Sequence, residues 1–186
     1  MSKMNKKSIV SIAIICAATV VGLLLFDRHF WCELNDLRLS TWDFGSAHQS
    51  QHLFDQYSFT HIEHGFVFYA LLAVICPKKS FGFRLSCALA LAGGWEILEN
   101  STFVIDRYRA QTIDAGYYGD SIANSLADML CCAAGFWFTY KFKWWALAVM
   151  IVFEVGLALT IRDNLILNII MLIHSSPAIL DWQASR

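Results

Sequence analysis

The sequence predicts an all-α protein, an integral membrane helical bundle of five to six transmembrane helices that forms a single domain over residues 1–186. Of these 186 residues, 57% are hydrophobic and only 16% are charged, a balance typical of membrane proteins. Long apolar runs recur along the chain, and very short connections separate several of them. The formal net charge is -1, so no basic excess indicates a nucleic-acid partner.

The first apolar run, over residues 8–26, is about as long as a helix that crosses the hydrocarbon core of a bilayer. Lysines precede it, as they do in a signal peptide. However, Asp27, Arg28 and His29 follow the run where the small residues of a cleavage site would be expected. We therefore predict a retained first span.

Four further runs are long enough to be spans, and a shorter run follows them. They cover residues 59–76, 81–98, 121–140 and 144–161, and the short run covers 165–173. The lengths predict five spans and leave the sixth open.

The lysines predict the orientation of these spans. If the spans alternate, the lysines of the N-terminus, of the connection at Lys78 and Lys79, and of the connection at Lys141 and Lys143 all lie on one side. The positive-inside rule makes this side the cytoplasm. We therefore expect a cytoplasmic N-terminus, with outer loops over residues 27–58 and 101–119.

Ionisable residues gather at the outer ends of three predicted spans. His61 and His64 lie three positions apart on the second span, where helical directions differ by roughly 60°, so both imidazoles face the same neighbour. Glu96 and Glu99 repeat this spacing at the end of the third span. The sequence therefore places matching polar faces on two helices.

The fourth span begins with polar residues at every fourth position, namely Asp120, Asn124 and Asp128. At 1.5 Å per residue, Asp128 lies about 12 Å below Asp120, which is well inside the membrane boundary. Ionisable groups at such depth normally face the interior of a bundle or a water-filled cavity. We therefore expect the three helices to share one pocket.

Several segments around this pocket closely resemble an uncharacterised family of bacterial multi-pass inner-membrane proteins, known only as a domain of unknown function. The segments include Ser50-Gln51-His52, His61-x-x-His64-Gly65, Trp95-Glu96-Ile97, Ile105-Asp106-Arg107-Tyr108-Arg109 and Tyr118-Gly119-Asp120-Ser121. The resemblance covers most of the chain after its first quarter. It implies the bacterial inner membrane as location and carries no known reaction.

A weaker resemblance is to VanZ-like membrane proteins, which have an acidic residue late in one span, an arginine-containing loop, and a helix that opens with Asp and Asn. Glu99, Arg107, Asp120 and Asn124 could occupy those positions. This similarity guides the architecture only.

The pocket suggests metal binding. Two imidazoles and several carboxylates form a mixed nitrogen and oxygen donor set that suits a divalent Zn, Mn or Fe ion. The candidate ligands are His61, His64, Glu96, Glu99, Asp120 and Asp128. Within this set, the candidate catalytic groups are His61, His64, Glu96 and Asp120.

Substrate binding is predicted beside the metal. Arg107 and Arg109 could hold a phosphate or carboxylate head group, and Tyr118 and Asn124 are further candidates. The favoured function is a metal-dependent membrane hydrolase or transferase acting on a lipid or lipid-linked envelope substrate at the outer face. Membrane lipids are the expected partners, and the sequence predicts no oligomeric state.

A non-catalytic alternative stays open. In it, the third-span glutamates pair with the arginines of the 101–119 loop, and the histidines pair with the aspartates of the fourth span. The protein would then bind, transport or assemble without catalysis. No glycine-rich phosphate loop, Gly-x-Ser-x-Gly, His-Glu-x-x-His or Cys-x-x-Cys motif occurs in the sequence.

A few isolated polar residues are expected to play lesser parts. His29, His48 and His174 have no evident local partners, so we expect no chemical role for them. Glu154 is predicted to make a hydrogen bond that packs two helices together, and Asn100 is predicted to cap a helix.

Overall fold

The structure, a computed structural model, describes residues 4–34, 36–111 and 116–185. The regular secondary structure of the described residues is helical, apart from an isolated bridge between Ser40 and Phe54 in the irregular segment that precedes Ser58. In chain order the helices are α1 Lys6–Leu25, α2 Ser58–Ile75, α3 Phe81–Glu99, α4 Thr102–Gln111, α5 Ile122–Phe142, α6 Trp145–Thr160, α7 Leu165–Ile173 and α8 Pro177–Ala184. The predicted all-α class is confirmed.

Four of these helices, α1, α2, α3 and α5, are long and apolar enough to cross a membrane. Helices α6 and α7 meet at a bend of 70° and together form a fifth candidate. The short run at 165–173 is thus the second half of a bent pair. Among the described residues, the candidate spans therefore number four, or five if the pair counts as one.

The predicted outer loop over residues 101–119 contains a helix that the sequence analysis missed. Helix α4 begins directly after Ser101, whose carbonyl oxygen accepts the backbone N–H groups of Val104 and Ile105. A serine before a segment free of proline and glycine is a helix-start signal. The predicted loop therefore contains a helix over Thr102–Gln111.

Helices α2 and α5 form the central pair of the bundle, and α3 packs against both. Their backbones meet at Gly65 and Gly135. A Cβ atom added at Gly65 would lie 2.1 Å from the carbonyl oxygen of Cys132, and one added at Gly135 would lie 2.0 Å from that of Ile62. Only glycine permits this approach, which fixes the face that α2 turns toward α5.

The interior is divided between an apolar part and a polar part. The apolar core includes Leu89, Cys132 and Phe136, which lie away from the polar helix ends. Large hydrophobic side chains such as Leu147 and Leu159 of α6 are instead exposed. Such an apolar exterior around buried ionisable groups indicates a membrane protein.

Candidate functional site

The N-terminal ends of α2 and α5 and the C-terminal end of α3 meet and bury a group of carboxyl side chains. Asp55, Glu96, Asp120 and Asp128 are each at most 7% exposed. Burial of this many acids is costly unless they are paired or bind a cation. The predicted shared pocket is therefore present in the structure.

Asn100 ties the end of α3 to the start of α5. It occupies the C-cap position of α3, and its Nδ2 donates to Oδ2 of Asp120 at 2.9 Å while its Oδ1 accepts the backbone N–H of Asp120 at 2.7 Å. The predicted capping role is confirmed. These two hydrogen bonds fix Asp120 beside the end of α3.

Glu96, Glu99 and Asp120 form a three-carboxylate cluster, in which one oxygen from each residue lies within 4.8 Å of the others. Glu96 is fully buried, and neither of its carboxylate oxygens accepts a hydrogen bond from the described residues. Oxygen donors at these separations suit a divalent cation.

Asp120 is the member of this cluster whose carboxylate accepts hydrogen bonds from neighbouring side chains. Its two carboxylate oxygens accept hydrogen bonds from Asn100 and from the hydroxyl of Tyr117, the latter at 2.9 Å. Burial raises the pKa of Asp120 to about 6, although these two hydrogen bonds oppose the shift. Burial also raises the pKa of Tyr117 well above its ordinary value, so the phenol remains a donor.

His61 lies between two carboxylates. Its Nδ1 is 3.4 Å from Oε1 of Glu96, and its Nε2 is 3.8 Å from Oδ2 of Asp128. The hydroxyl of Ser58 donates to the other oxygen of Asp128 at 3.2 Å. The predicted meeting of a second-span histidine with these acids is therefore observed for His61.

His64 and Asp128 lie outside the three-carboxylate cluster. The ring of His64 is edge-on to that of His61 and stacks on Phe68 at a centroid distance of 5.8 Å. One turn farther along α2 than His61, it borders the apolar cavity, which Glu99 also lines. Asp128 lies two turns into α5, where it contacts His61.

The candidate substrate-binding residues mostly hold the scaffold together. Arg107 donates to the carbonyl oxygens of Leu172 and Ile173 at the end of α7, so its expected pairing with a glutamate is wrong. Carbonyls at a helix end lack intrahelical partners, which explains this contact. Arg109 is exposed.

The other two candidates contact the loop before α2. The hydroxyl of Tyr118 donates to the carbonyl oxygen of Ala47 at 2.6 Å, and Nδ2 of Asn124 donates to that of His52 at 2.8 Å. These bonds fasten the loop over the start of α5.

Two cavities meet at this site. The polar cavity, of about 40 Å³, is bordered by carboxylates including Glu99, Asp120 and Asp128, and at roughly 10–15 Å³ per water it has room for about three. The apolar cavity, of about 450 Å³, is bordered by α2, α3 and α7. Both are lined by Tyr57, His61, Glu99, Tyr108 and Asn168.

The prediction that His29 and His48 lack partners is wrong. His29 pairs with Glu33, and His48 contacts Cys32 and His52. These contacts form within an irregular loop, where sequence periodicity gives no guide. The spacing of His48 and His52, four residues apart, was the one available signal.

The predicted hydrogen bond of Glu154 between two helices is confirmed. Its Oε1 accepts the backbone N–H of Leu165 at 3.0 Å, and its carbonyl oxygen accepts the side-chain amide of Asn164. The acid thereby joins α6 to the start of α7 across the bend.

Comparison with known proteins identifies relatives of unknown function. A family described as "Protein of unknown function (DUF2585)" matches residues 23–185. A UPF0314 protein of Sphingopyxis alaskensis is 42% identical over 175 residues, which cover 93% of each chain. UPF0314 proteins of Paracoccus denitrificans and Brucella anthropi are 41% and 43% identical, covering 92% and 90% of this chain and 90% and 86% of their own. No solved structure matches significantly, and the VanZ-like similarity stays a prediction.

Proposed function

The chain belongs to the DUF2585 family of proteins of unknown function, and we propose that it is a bacterial inner-membrane enzyme that uses a divalent metal ion to hydrolyse or transfer part of a lipid or lipid-linked substrate.

In this proposal the chain crosses the membrane five times, through α1, α2, α3, α5 and the bent pair α6 and α7. The lysine-rich connections at Lys78 and Lys141 face the cytoplasm together with the N-terminus. The polar helix ends then open toward the outer face, where envelope lipids and lipid-linked precursors are accessible.

Glu96, Glu99 and Asp120 are the proposed metal ligands. Their convergence within 4.8 Å and the burial of both Glu96 oxygens without a well-formed hydrogen bond from the described residues support this assignment. An all-oxygen donor set favours Mn²⁺ or Fe²⁺ over Zn²⁺ among the ions considered. A bound ion would polarise a phosphoryl or carbonyl oxygen of the substrate and lower the pKa of bound water.

His61 is the proposed acid–base group. Its contacts with Glu96 and Asp128, at 3.4 and 3.8 Å, hold the ring at the border of both cavities. An imidazole in this position can accept a proton from a water molecule and return it to a leaving group. Asp128 orients the ring and stabilises its charged form.

The observation that carries the proposal is the junction of a small acidic cavity with a larger apolar one. An amphipathic molecule fits this pair, with its head group near Glu99 and His61 and its hydrocarbon chain along α2 and α3. Val67, Leu91 and Leu98 border the apolar cavity and are each more than 40% exposed. A lipid chain could therefore enter sideways from the bilayer.

The non-catalytic alternative explains the site less well. It pairs Glu96 or Glu99 with Arg107 or Arg109, yet Arg107 donates to the backbone carbonyls of Leu172 and Ile173 instead. The histidine–aspartate pairing of this alternative does correspond to the contact of His61 with Asp128 at 3.8 Å, but Glu99 and Asp120 gain no cationic partner from it.

Turnover of lipid extract tests the proposal. Wild type and Glu96→Gln would be purified in detergent, tested for metal content, and incubated with envelope lipids of the source bacterium with and without Mn²⁺. Mass spectrometry should show one lipid class consumed only by the metal-loaded wild type. Lipid and metal binding without any turnover would favour the non-catalytic alternative.

A further inference from the structure

A second cluster of metal-ligating side chains lies in the loop before α2. His48 is its centre. The Nδ1 atom of His48 lies 3.7 Å from Sγ of Cys32 and 3.4 Å from Nε2 of His52. Oδ2 of Asp36 lies 3.6 Å from the same atom, but it already accepts a hydrogen bond from Nε of Arg38 at 2.5 Å.

A hydrogen bond accounts for one of these contacts at most, because an imidazole nitrogen carries either one proton or one lone pair and can serve one partner well. The separation of 3.4 Å between Nδ1 of His48 and Nε2 of His52 is also long for a hydrogen bond between nitrogens. The separations match a tetrahedral zinc site instead, because Zn–N bonds of about 2.0–2.1 Å and Zn–S bonds of about 2.3 Å set ligand atoms roughly 3.3–3.6 Å apart.

The cluster is also shielded from solvent. Cys32 is 4% exposed and His52 is fully buried, with the ring of Trp31 edge-on against it. The Nδ1 of His52 has no hydrogen-bond partner among the described residues, so the polar contact that this ring makes there is the one through Nε2 toward His48. We propose that Cys32, His48 and His52, whose ligand atoms lie within 4.8 Å of one another, bind one structural Zn²⁺ ion and leave its fourth position to water.

The ion would hold the outer loop against the start of α5. The carbonyl oxygens of His29 and Phe30 accept backbone N–H groups of α5, at 2.9 and 3.1 Å, on one side of the cluster. On the other side, the carbonyl oxygens of Ser50 and His52 accept from Ser121 and Asn124. A zinc ion joins these two stretches of loop, and so fixes the cover of the polar cavity.

This inference stands apart from the proposed catalytic metal, because only this site contains a thiolate. The full chain would be purified, stripped of metal and reloaded with Co²⁺ or Zn²⁺. The wild type should show an intense thiolate-to-cobalt absorption band and visible bands typical of tetrahedral Co²⁺. Cys32→Ser should lose the thiolate band and one equivalent of zinc.

Two matched variants separate the sites. Cys16→Ser, in the middle of α1, and Glu96→Gln should both keep the thiolate band. A wild type without this band, or a Cys32→Ser variant that retains it, would overturn the zinc site and leave the carboxylate site unaffected.

If Cys32→Ser fails to fold, thiol labelling of the wild type replaces it. Peptide mass spectrometry would follow alkylation of Cys32, which should be slow with zinc bound and at least tenfold faster after a chelator. Equal rates in the two states would contradict the proposal.

Discussion

The fully buried carboxylate of Glu96 lies 3.4 Å from Nδ1 of His61, and neither of its oxygens accepts a hydrogen bond from the described residues. A structural ion pair and a ligand site both account for this contact. They differ in what happens when the charge of Glu96 is removed.

We expect Glu96→Gln to lose the metal ion of the carboxylate cluster while the free energy of unfolding changes by less than about 1 kcal/mol, because the amide keeps the shape and removes a buried charge. Metal content and thermal melting would be measured on the same samples. Asp106→Asn, an exposed acid on α4, is the control. Normal metal content with a loss of about 3–5 kcal/mol, the usual cost of breaking a buried pair, would refute the ligand assignment.

The contact between α2 and α5 supports a second prediction. At Gly65 a methyl group would lie 2.1 Å from the carbonyl oxygen of Cys132, so Gly65→Ala should force the two helices apart and cost at least about 1–3 kcal/mol. Gly156→Ala is the matched control, since nothing lies within 4 Å of a Cβ there. It should be neutral or slightly stabilising, because alanine favours a helix. Equal melting temperatures for the two variants would contradict the described packing.

The spans could be predicted because length and apolarity alone determine them. The predicted runs 59–76 and 81–98 differ from α2 and α3 by one residue at the ends. The meeting of Glu96, Glu99 and Asp120 followed from the cost of exposing acids to lipid. Both predictions rest on properties of the individual segments, namely their length, their apolarity and the positions of their acidic residues.

The remaining features depend on tertiary contacts of irregular segments. Arg107 binds the end of α7 and not a glutamate, because a helix in the loop, which was not predicted, carries it there. The partners of His48 depend on how the loop before α2 folds back on itself. The contacts of Arg107 with α7 and of His48 with Cys32 and Asp36 have no sequence period that could reveal them.

The orientation proposed from the lysines predicts where reporters become active. Alkaline phosphatase fused after Asp43 should be active outside, and green fluorescent protein fused after Lys79 should fluoresce in the cytoplasm. As the control, the other reporter is fused at each position: green fluorescent protein after Asp43 and alkaline phosphatase after Lys79. The position of Thr112, also predicted to be outside, lies beyond the described residues. An active phosphatase after Lys79 would invert the topology and move the site to the cytoplasmic face.

The apolar cavity yields the most direct prediction about the substrate. Gly94 of α3 borders this cavity, and nothing lies within 4 Å of a Cβ built there. Gly94→Leu should therefore fill the space without disturbing the neighbouring helices.

We expect this variant to keep normal metal content and melting temperature, because Glu99 is the only residue of the carboxylate cluster that borders the apolar cavity. Crosslinking to a photoactivatable lipid should fall at least tenfold, since the added side chain occupies the volume of a hydrocarbon chain. Gly156→Leu on α6, which also has open space around its Cβ and does not line this cavity, should crosslink as the wild type does. The contrary outcome is that Gly94→Leu crosslinks as strongly as the wild type at residues that line the cavity, such as Val67 and Phe68. The cavity would then not bind the lipid chain, and the proposal of an amphipathic substrate would fail.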